Sequence, residues 1–224
     1  MDVIGVDRRP MVLLLVNTMQ DDTGLKAIFK LPSLYSFGQK LIGATAAREW
    51  FIRECLRVRP NDKLVDIGCG PGDILLALPE VEYVGLDISE AYIRKAEGRF
   101  GLRGLFLVGT VDTCRGDQRL CNADLVFCVG VLHHLHDDEA RRLLSFAREN
   151  LKPGGRFVGL EPTFLAWQKP LSRWIMSKDR GQNIRQEEAW KALLAEEFPD
   201  FTTRVLTGLI RIPYTHIVLE GHKK

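Results

Sequence analysis

The sequence predicts an α/β fold: a single domain built on a mostly parallel sheet, with helices on both of its faces. Two observations carry this. From Lys63 to Leu160, apolar runs of strand length alternate with stretches of helical periodicity, the pattern of parallel strands joined by crossovers. The first of those runs leads into a turn with glycine at every second position, Gly68, Gly70 and Gly72. Such a turn lets a ligand approach the main chain closely.

The elements follow in order. Residues 1–33 are read as a poorly constrained N-terminal extension, without periodicity and of mixed charge. Its longest apolar run, Met11 to Val16, is too short to span a bilayer. It also lacks a small-residue cleavage site, so neither a membrane span nor a signal peptide is expected. Over 34–60, Leu41, Ile42, Ala46, Trp50, Phe51 and Leu56 predict one or two amphipathic helices, which Pro60-Asn61-Asp62 breaks. Residues 61–224 form the main domain. Strands are predicted at Lys63–Ile67, Glu82–Leu86, Gly104–Val108, Ala123–Cys128 and Arg156–Glu161. Helices are predicted at Asp73–Leu78, Glu90–Phe100 and Asp138–Leu151, with Ser89 and Asp137 as N-caps of the last two. After Glu161 the rhythm changes: Pro162 to Asp179 holds Trp167, Trp174 and several basic residues. A helix over Gln186–Phe198 and two closing strands, Phe201–Gly208 and Pro213–Glu220, complete the chain. There is no internal repeat.

Composition narrows the function. Thirty-one basic against 29 acidic residues leave a net charge of +2, which excludes a strongly basic nucleic-acid binder while allowing a local patch. Five cysteines, Cys55, Cys69, Cys114, Cys121 and Cys128, form no close pair and no zinc spacing. Reduced thiols and a cytoplasmic protein are expected. Cys69, inside the glycine turn, reads as a small buried filler.

Asp87 ends the second strand about twenty residues beyond the turn, where an acid takes two ribose hydroxyls. That implies a nucleoside-containing cofactor on a Rossmann-like sheet. The dinucleotide fingerprint is Gly-x-Gly-x-x-Gly, whereas here Asp73 stands in the place of the third glycine and Asp66 just precedes the turn. Acids there repel a pyrophosphate and welcome a cationic group. S-adenosylmethionine, with an ammonium, a sulfonium and a ribose, suits the site better than NAD.

Four stretches, in order, resemble motifs of the class I S-adenosylmethionine-dependent methyltransferases. Val65–Asp73 resembles their glycine-rich first motif, and Gly85-Leu86-Asp87-Ile88-Ser89 their acidic second. Ala123–Phe127 with Val131-Leu132-His133-His134-Leu135 resembles the fourth. Leu151–Phe157, containing Lys152-Pro153-Gly154-Gly155, resembles the turn that opens their fifth strand. The resemblance implies a single Rossmann-like domain with a seven-stranded sheet and an antiparallel C-terminal strand. It implies that the main chain at Gly68, Cys69, Gly70 and Gly72 cradles the methionine half of the cofactor, with Asp66 orienting it or accepting from its ammonium. Asp87 would hold both ribose hydroxyls and Ile88 pack on the adenine. Asp112, flanked by Val111 and Thr113, would accept from the adenine amino group; the alternative is a loop acid capping a turn. Cys128, Val129 and Gly130, with His133, would lie near the reacting methyl. Tyr35, Gln39 and Arg48 would belong to a helical lid over 34–60.

Methyl transfer from a sulfonium asks mainly for alignment, and for a base only if the acceptor must lose a proton. His133 and His134 are base candidates, as is Glu161 at the end of the fifth strand; a loop histidine bonding backbone and a structural salt bridge are the alternatives. The run His133-His134-x-His136-Asp137-Asp138 looks like a metal cluster, but adjacent histidines seldom point at one ion, and no metal is expected. Residues 162–212 are the expected acceptor region, where Asp179–Arg185 and Arg211–His216 could meet an anionic or hydroxylated acceptor; a solvated loop and a sheet edge are the plainer reading. No Asn/Asp-Pro-Pro-Tyr motif follows the fourth strand, against DNA-adenine chemistry. The expected partner is a small-molecule acceptor, with no nucleic acid. Two alternatives are a non-catalytic S-adenosylmethionine-binding subunit and an RNA methyltransferase using Arg94, Lys95, Arg99 and Arg103.

Overall fold

The computed structural model describes residues 44–178, 181, 183–210 and 212–224. The extension over 1–33, the lid candidates Tyr35 and Gln39, and Asp179, Arg180, Gln182 and Arg211 lie outside them. The chain enters through α1 (Ala44–Phe51), which runs into a π-helical turn (Ile52–Leu56). Then follow β1 (Lys63–Ile67), β2 (Glu82–Asp87), α2 (Glu90–Phe100), β3 (Leu105–Val108) and β4 (Ala123–Val129). After these come α3 (Asp137–Asn150), β5 (Leu151–Pro162), α4 (Pro170–Met176), α5 (Glu187–Glu197), β6 (Asp200–Thr207) and β7 (Thr215–His222). The seven strands form one sheet in the order β3-β2-β1-β4-β5-β7-β6. Strands β1 to β5 are mutually parallel, and β7 runs antiparallel to both β5 and β6.

Strand alternation sorts the core into two layers. Val65, Ile67, Val84, Leu86, Val126, Cys128, Phe157, Ile217 and Leu219 point to one face and pack with α3 and α5. Leu64, Tyr83, Leu125, Phe127, Val158 and Val218 point to the other, under α1 and α2. Helices therefore cover both faces, and the central strands are apolar on both sides, as buried parallel strands must be. Among the described residues no helix is long and apolar enough to cross a membrane.

Several boundaries differ from the expected ones. Instead of a helix to Leu78, the glycine turn opens one 3-10 turn, Asp73–Leu76; Gly72, left-handed at φ 74°, and Pro79 leave too little chain for more. Ser89 does cap α2, its Oγ accepting from the Tyr92 N–H. Asp137 is the first residue of α3 rather than its cap: His136 takes that place, and its N–H donates to the Glu139 carboxylate. β5 starts at Leu151 rather than Arg156, with a bulge opposite Ala123–Leu125. Backbone bonds to Lys223 hold that bulge at Gly154 and Gly155. The short α4 was not foreseen; Pro170 at its start is pre-set for a first helical turn.

Candidate active site

The sheet order reverses between β1 and β4, and ligands of such sheets bind beyond the strand carboxyl ends at that switch. There, the N–H groups of Gly68 and Cys69 both donate to Leu86 O, at 2.7 and 3.1 Å, pinning the turn to β2. Gly68 has φ 76°, and a Cβ on it would lie 2.5 Å from Val131 Cγ2. Gly70 is also left-handed, at φ 54°, but its missing Cβ would face open space, with nothing within 4 Å. The turn therefore presents bare backbone to a cleft. Asp87 is fixed at the edge of that cleft. Its Oδ2 accepts from Gly70 N at 2.9 Å and its Oδ1 from Ser89 N at 2.8 Å. Each oxygen keeps a further lone-pair direction for a hydroxyl. Beside it Ile88 is 75% exposed, an apolar ledge of the kind an aromatic base covers. A carboxylate, open backbone and an exposed apolar side chain make a donor set that fits the nucleoside and cationic end of S-adenosylmethionine.

Asp66 lies deeper than the sequence suggested. It is buried, and the Tyr83 hydroxyl donates to its Oδ2 at 2.6 Å. Burial raises its pKa to about 7, the Tyr83 bond working against that and the Asp87 charge adding to it. The unfolded chain gives up this proton near 3.8 and the folded chain holds it to about 7. Below the lower value both states are protonated and nothing changes. Between the two, the folded state binds more protons, so stability falls as pH rises, and it levels off above the upper value. Three pH units correspond to about 4 kcal/mol. Asp66→Asn should remove that loss; urea unfolding of both proteins across this window, compared as a difference, checks it. Burial and the neighbouring Asp66 and Asp87 charges push the Cys69 thiol far up, leaving it a neutral filler.

On the other side of the switch, Glu161 and His133 meet. Glu161 is fully buried. Its Oε1 accepts from Val131 N and Leu132 N, both at 2.9 Å, and its Oε2 from His133 N at 3.3 Å. The same Oε2 lies 2.7 Å from His133 Nδ1. One carboxylate thus holds the N-terminus of the 3-10 turn Leu132–His134 and the imidazole of that turn. Cys128 sits behind it, its thiol 3.8 Å from Oε1 and pushed well up by burial and the Glu161 charge. His134 is exposed, its ring 4.0 Å from that of His133. Val129 is exposed at the strand end, and Gly130 N bonds Leu160 O at 2.9 Å.

Beyond α4, Gly181 and Asn183 lie against His133. A Cβ on Gly181 would fall 1.8 Å from His133 Cδ2, so only glycine lets the chain pass there. Asn183 N donates to His133 O at 3.0 Å. Arg185 is buried; it donates to Asp137 Oδ1 through Nε and Nη2, to Leu132 O through Nη1 and to Leu135 O through Nη2. It also stacks over Trp190, 4.8 Å from the ring centroid. The expected acceptor-binding cation is thus occupied as a fastener. Sequence reading missed this role, and that of Tyr83, because both depend on contacts far apart in the chain.

Other candidates lie further out. Asp112 is exposed and pairs with Arg142 Nε at 3.2 Å, while Val111 packs on the core. Of the basic residues on α2, Arg94 pairs with Glu90, Arg99 with Asp73, and Arg103 fills the carbonyls of Leu75 and Leu78. Among the described residues no three His, Cys, Asp or Glu side chains gather as a metal site.

Comparison with known proteins places this arrangement. A family model described as "Methyltransferase domain" matches residues 65–157. The chain is 27% identical over 162 residues to squalene methyltransferase 1 of Botryococcus braunii, covering 67% of this chain and 39% of that protein. It is 30% identical over 128 residues to the demethylmenaquinone methyltransferase of Symbiobacterium thermophilum, covering 52% and 47%. The chain thus spans less than half the length of these relatives. The apo S-adenosylmethionine-dependent methyltransferase SibL shares the fold, with a TM-score of 0.68 at 18% identity over 89% of this chain and 60% of that one. Taken with the pinned glycine turn and the acid that ends β2, these matches give the chain a methyltransferase domain over residues 65–157 and the fold of the class I, Rossmann-like S-adenosylmethionine-dependent methyltransferases, with a donor set that fits S-adenosylmethionine.

Proposed function

We propose that the chain methylates a small-molecule acceptor held between the glycine turn and the chain at Gly181 and Asn183–Arg185. The observation that carries this reading is the His133–Glu161 pair, buried beneath that segment at the strand ends. Two of the relatives are named for small molecules, squalene and demethylmenaquinone, which supports the same substrate class. Asp87 and Ile88 would hold the nucleoside, with Val111 and Asp112 at its outer rim. The backbone of Gly68, Cys69, Gly70 and Gly72 would hold the methionine half, with Asp66, buried and held by Tyr83, orienting that half indirectly. The cofactor supplies an electrophilic methyl on a sulfonium. Glu161 keeps His133 in one orientation, Nδ1 towards the carboxylate, and the imidazole would take the acceptor's proton. Val129 and Gly130 border the transfer path. Five free thiols support placement in the cytoplasm.

An acceptor screen that follows release of S-adenosylhomocysteine tests the reading. His133→Ala should lower kcat by about a hundredfold or more while leaving S-adenosylmethionine affinity nearly unchanged by calorimetry. An unchanged kcat would remove His133 from proton transfer. Cofactor binding without turnover on any acceptor class would favour a non-catalytic subunit, and turnover on RNA alone would replace the small-molecule reading.

A further inference from the structure

Between the end of β5 and the segment over His133, the chain carries an outward face unlike the rest of the surface. Trp167 is 63% exposed, Trp174 51% and Leu171 49%. Ala166 and Pro170 extend the apolar part. Lys169, Arg173 and Lys178 stand among them, all exposed. From Pro162 to Lys178 there is no Asp or Glu. The inner face of α4 is ordinary core: Ser172, Ile175 and Met176 are buried, and Gln168 bonds Ser172 and Thr215. Arg173 is steadied over the Phe164 ring at 5.3 Å and by Leu165 O. Among the described residues no acid pairs with Lys169 or Lys178. The outer face of α3 shows the contrast, since its Arg141 and Arg142 are matched by Asp138, Glu196 and Asp112.

We infer that this face docks the protein on an anionic phospholipid bilayer surface. Exposed tryptophans with an apolar body and a polar tip favour the water–hydrocarbon boundary. A leucine beside them adds buried area, and cations with long apolar stems place their charge at the headgroups. Three cations without a single acid over the whole segment match a negatively charged leaflet, and each adds to the attraction near such a surface. Docked this way, α4 would bring to the membrane the chain that leads on to Gly181 and Asn183 beside His133. Resting on the methyl-transfer reading above, the acceptor class it serves is an apolar molecule dissolved in the bilayer.

The test is flotation of the full chain with vesicles of phosphatidylcholine alone or mixed with phosphatidylglycerol, at low and raised salt. The mixed vesicles should carry the protein, with a blue shift of tryptophan emission, and raised salt should release it. Trp167→Ser with Trp174→Ser, and separately Lys169→Glu with Lys178→Glu, should each weaken partition by about tenfold or more. S-adenosylmethionine affinity, measured on both variants, should stay unchanged. Failure of the wild-type chain to float with the mixed vesicles overturns the inference. So does flotation that survives both double substitutions, which would locate membrane contact elsewhere in the chain. Self-association lost in the tryptophan variant, without vesicle binding, would identify a second copy as the occupant instead. Vesicle binding by a chain that turns over no acceptor would leave docking intact and remove only the methyl-transfer reading.

Discussion

Asp87→Ala should weaken S-adenosylmethionine binding by about a hundredfold or more, since each hydrogen bond to a charged acceptor is worth about 1.5–3 kcal/mol and two ribose hydroxyls would lose theirs. The effect has a second source in the apo fold. Asp87 also receives the Gly70 and Ser89 N–H groups, so its loss releases the glycine turn as well as the ribose. Asp87→Asn separates the two contributions: its carbonyl oxygen can keep one backbone bond, while its amide cannot accept. It should therefore fall between wild type and alanine. Calorimetry with S-adenosylmethionine and S-adenosylhomocysteine reads the affinities, and a thermal melt shows whether the fold persists. Unchanged affinity for Asp87→Ala would place the ribose elsewhere.

Glu161→Ala should cost about 3 kcal/mol or more of folding stability, since each buried donor left without an acceptor costs about 1–3 kcal/mol. Three backbone N–H groups and one imidazole nitrogen meet this carboxylate in a site closed to water, and an alanine would leave all of them searching for acceptors. Glu161→Gln should lose less, because its amide oxygen can still accept, though the amide nitrogen would face donors. Urea unfolding at fixed pH reads the difference. A loss below about 1 kcal/mol would show that the turn Leu132–His134 stands without its anchor.

Much of this was visible in the chain itself. The strand centres and the glycine turn followed from local pattern, because alternation and left-handed backbone are dictated by neighbouring residues. So did the placing of Asp87 at the cleft edge, since it ends a strand whose partner is the next strand in sequence. What the pattern could not show were contacts between distant segments. His133 and Glu161 stood as separate base candidates, and only the pairing of β4 with β5 brings them within one hydrogen bond. Asp66 reads from the sequence as orienting the methionine half or accepting from its ammonium; that it is buried with the Tyr83 hydroxyl on its Oδ2 rests on β1 lying beside β2. Arg185 belonged to a polar stretch that invited an acceptor, and its burial against Asp137 depends on how α5 packs beside α3. Boundary errors at β5 and at the 3-10 turn after Gly72 came from prolines and glycines whose effect rests on what pairs with them.

The Arg185 fastener also limits how this protein can diversify. One guanidinium ties the segment over the site to the carbonyls of Leu132 and Leu135, in and just after the turn that carries the imidazole, and to Asp137 at the start of α3. Grafting residues 163–184 from a homologue, to change what is methylated, would leave that clasp on the host side of the junction. A graft extended through Arg185 would need a matching Asp137 and turn. Exchange of acceptor regions between such proteins should therefore succeed as inherited blocks that carry the clasp together with its counterpart, rather than as single loops.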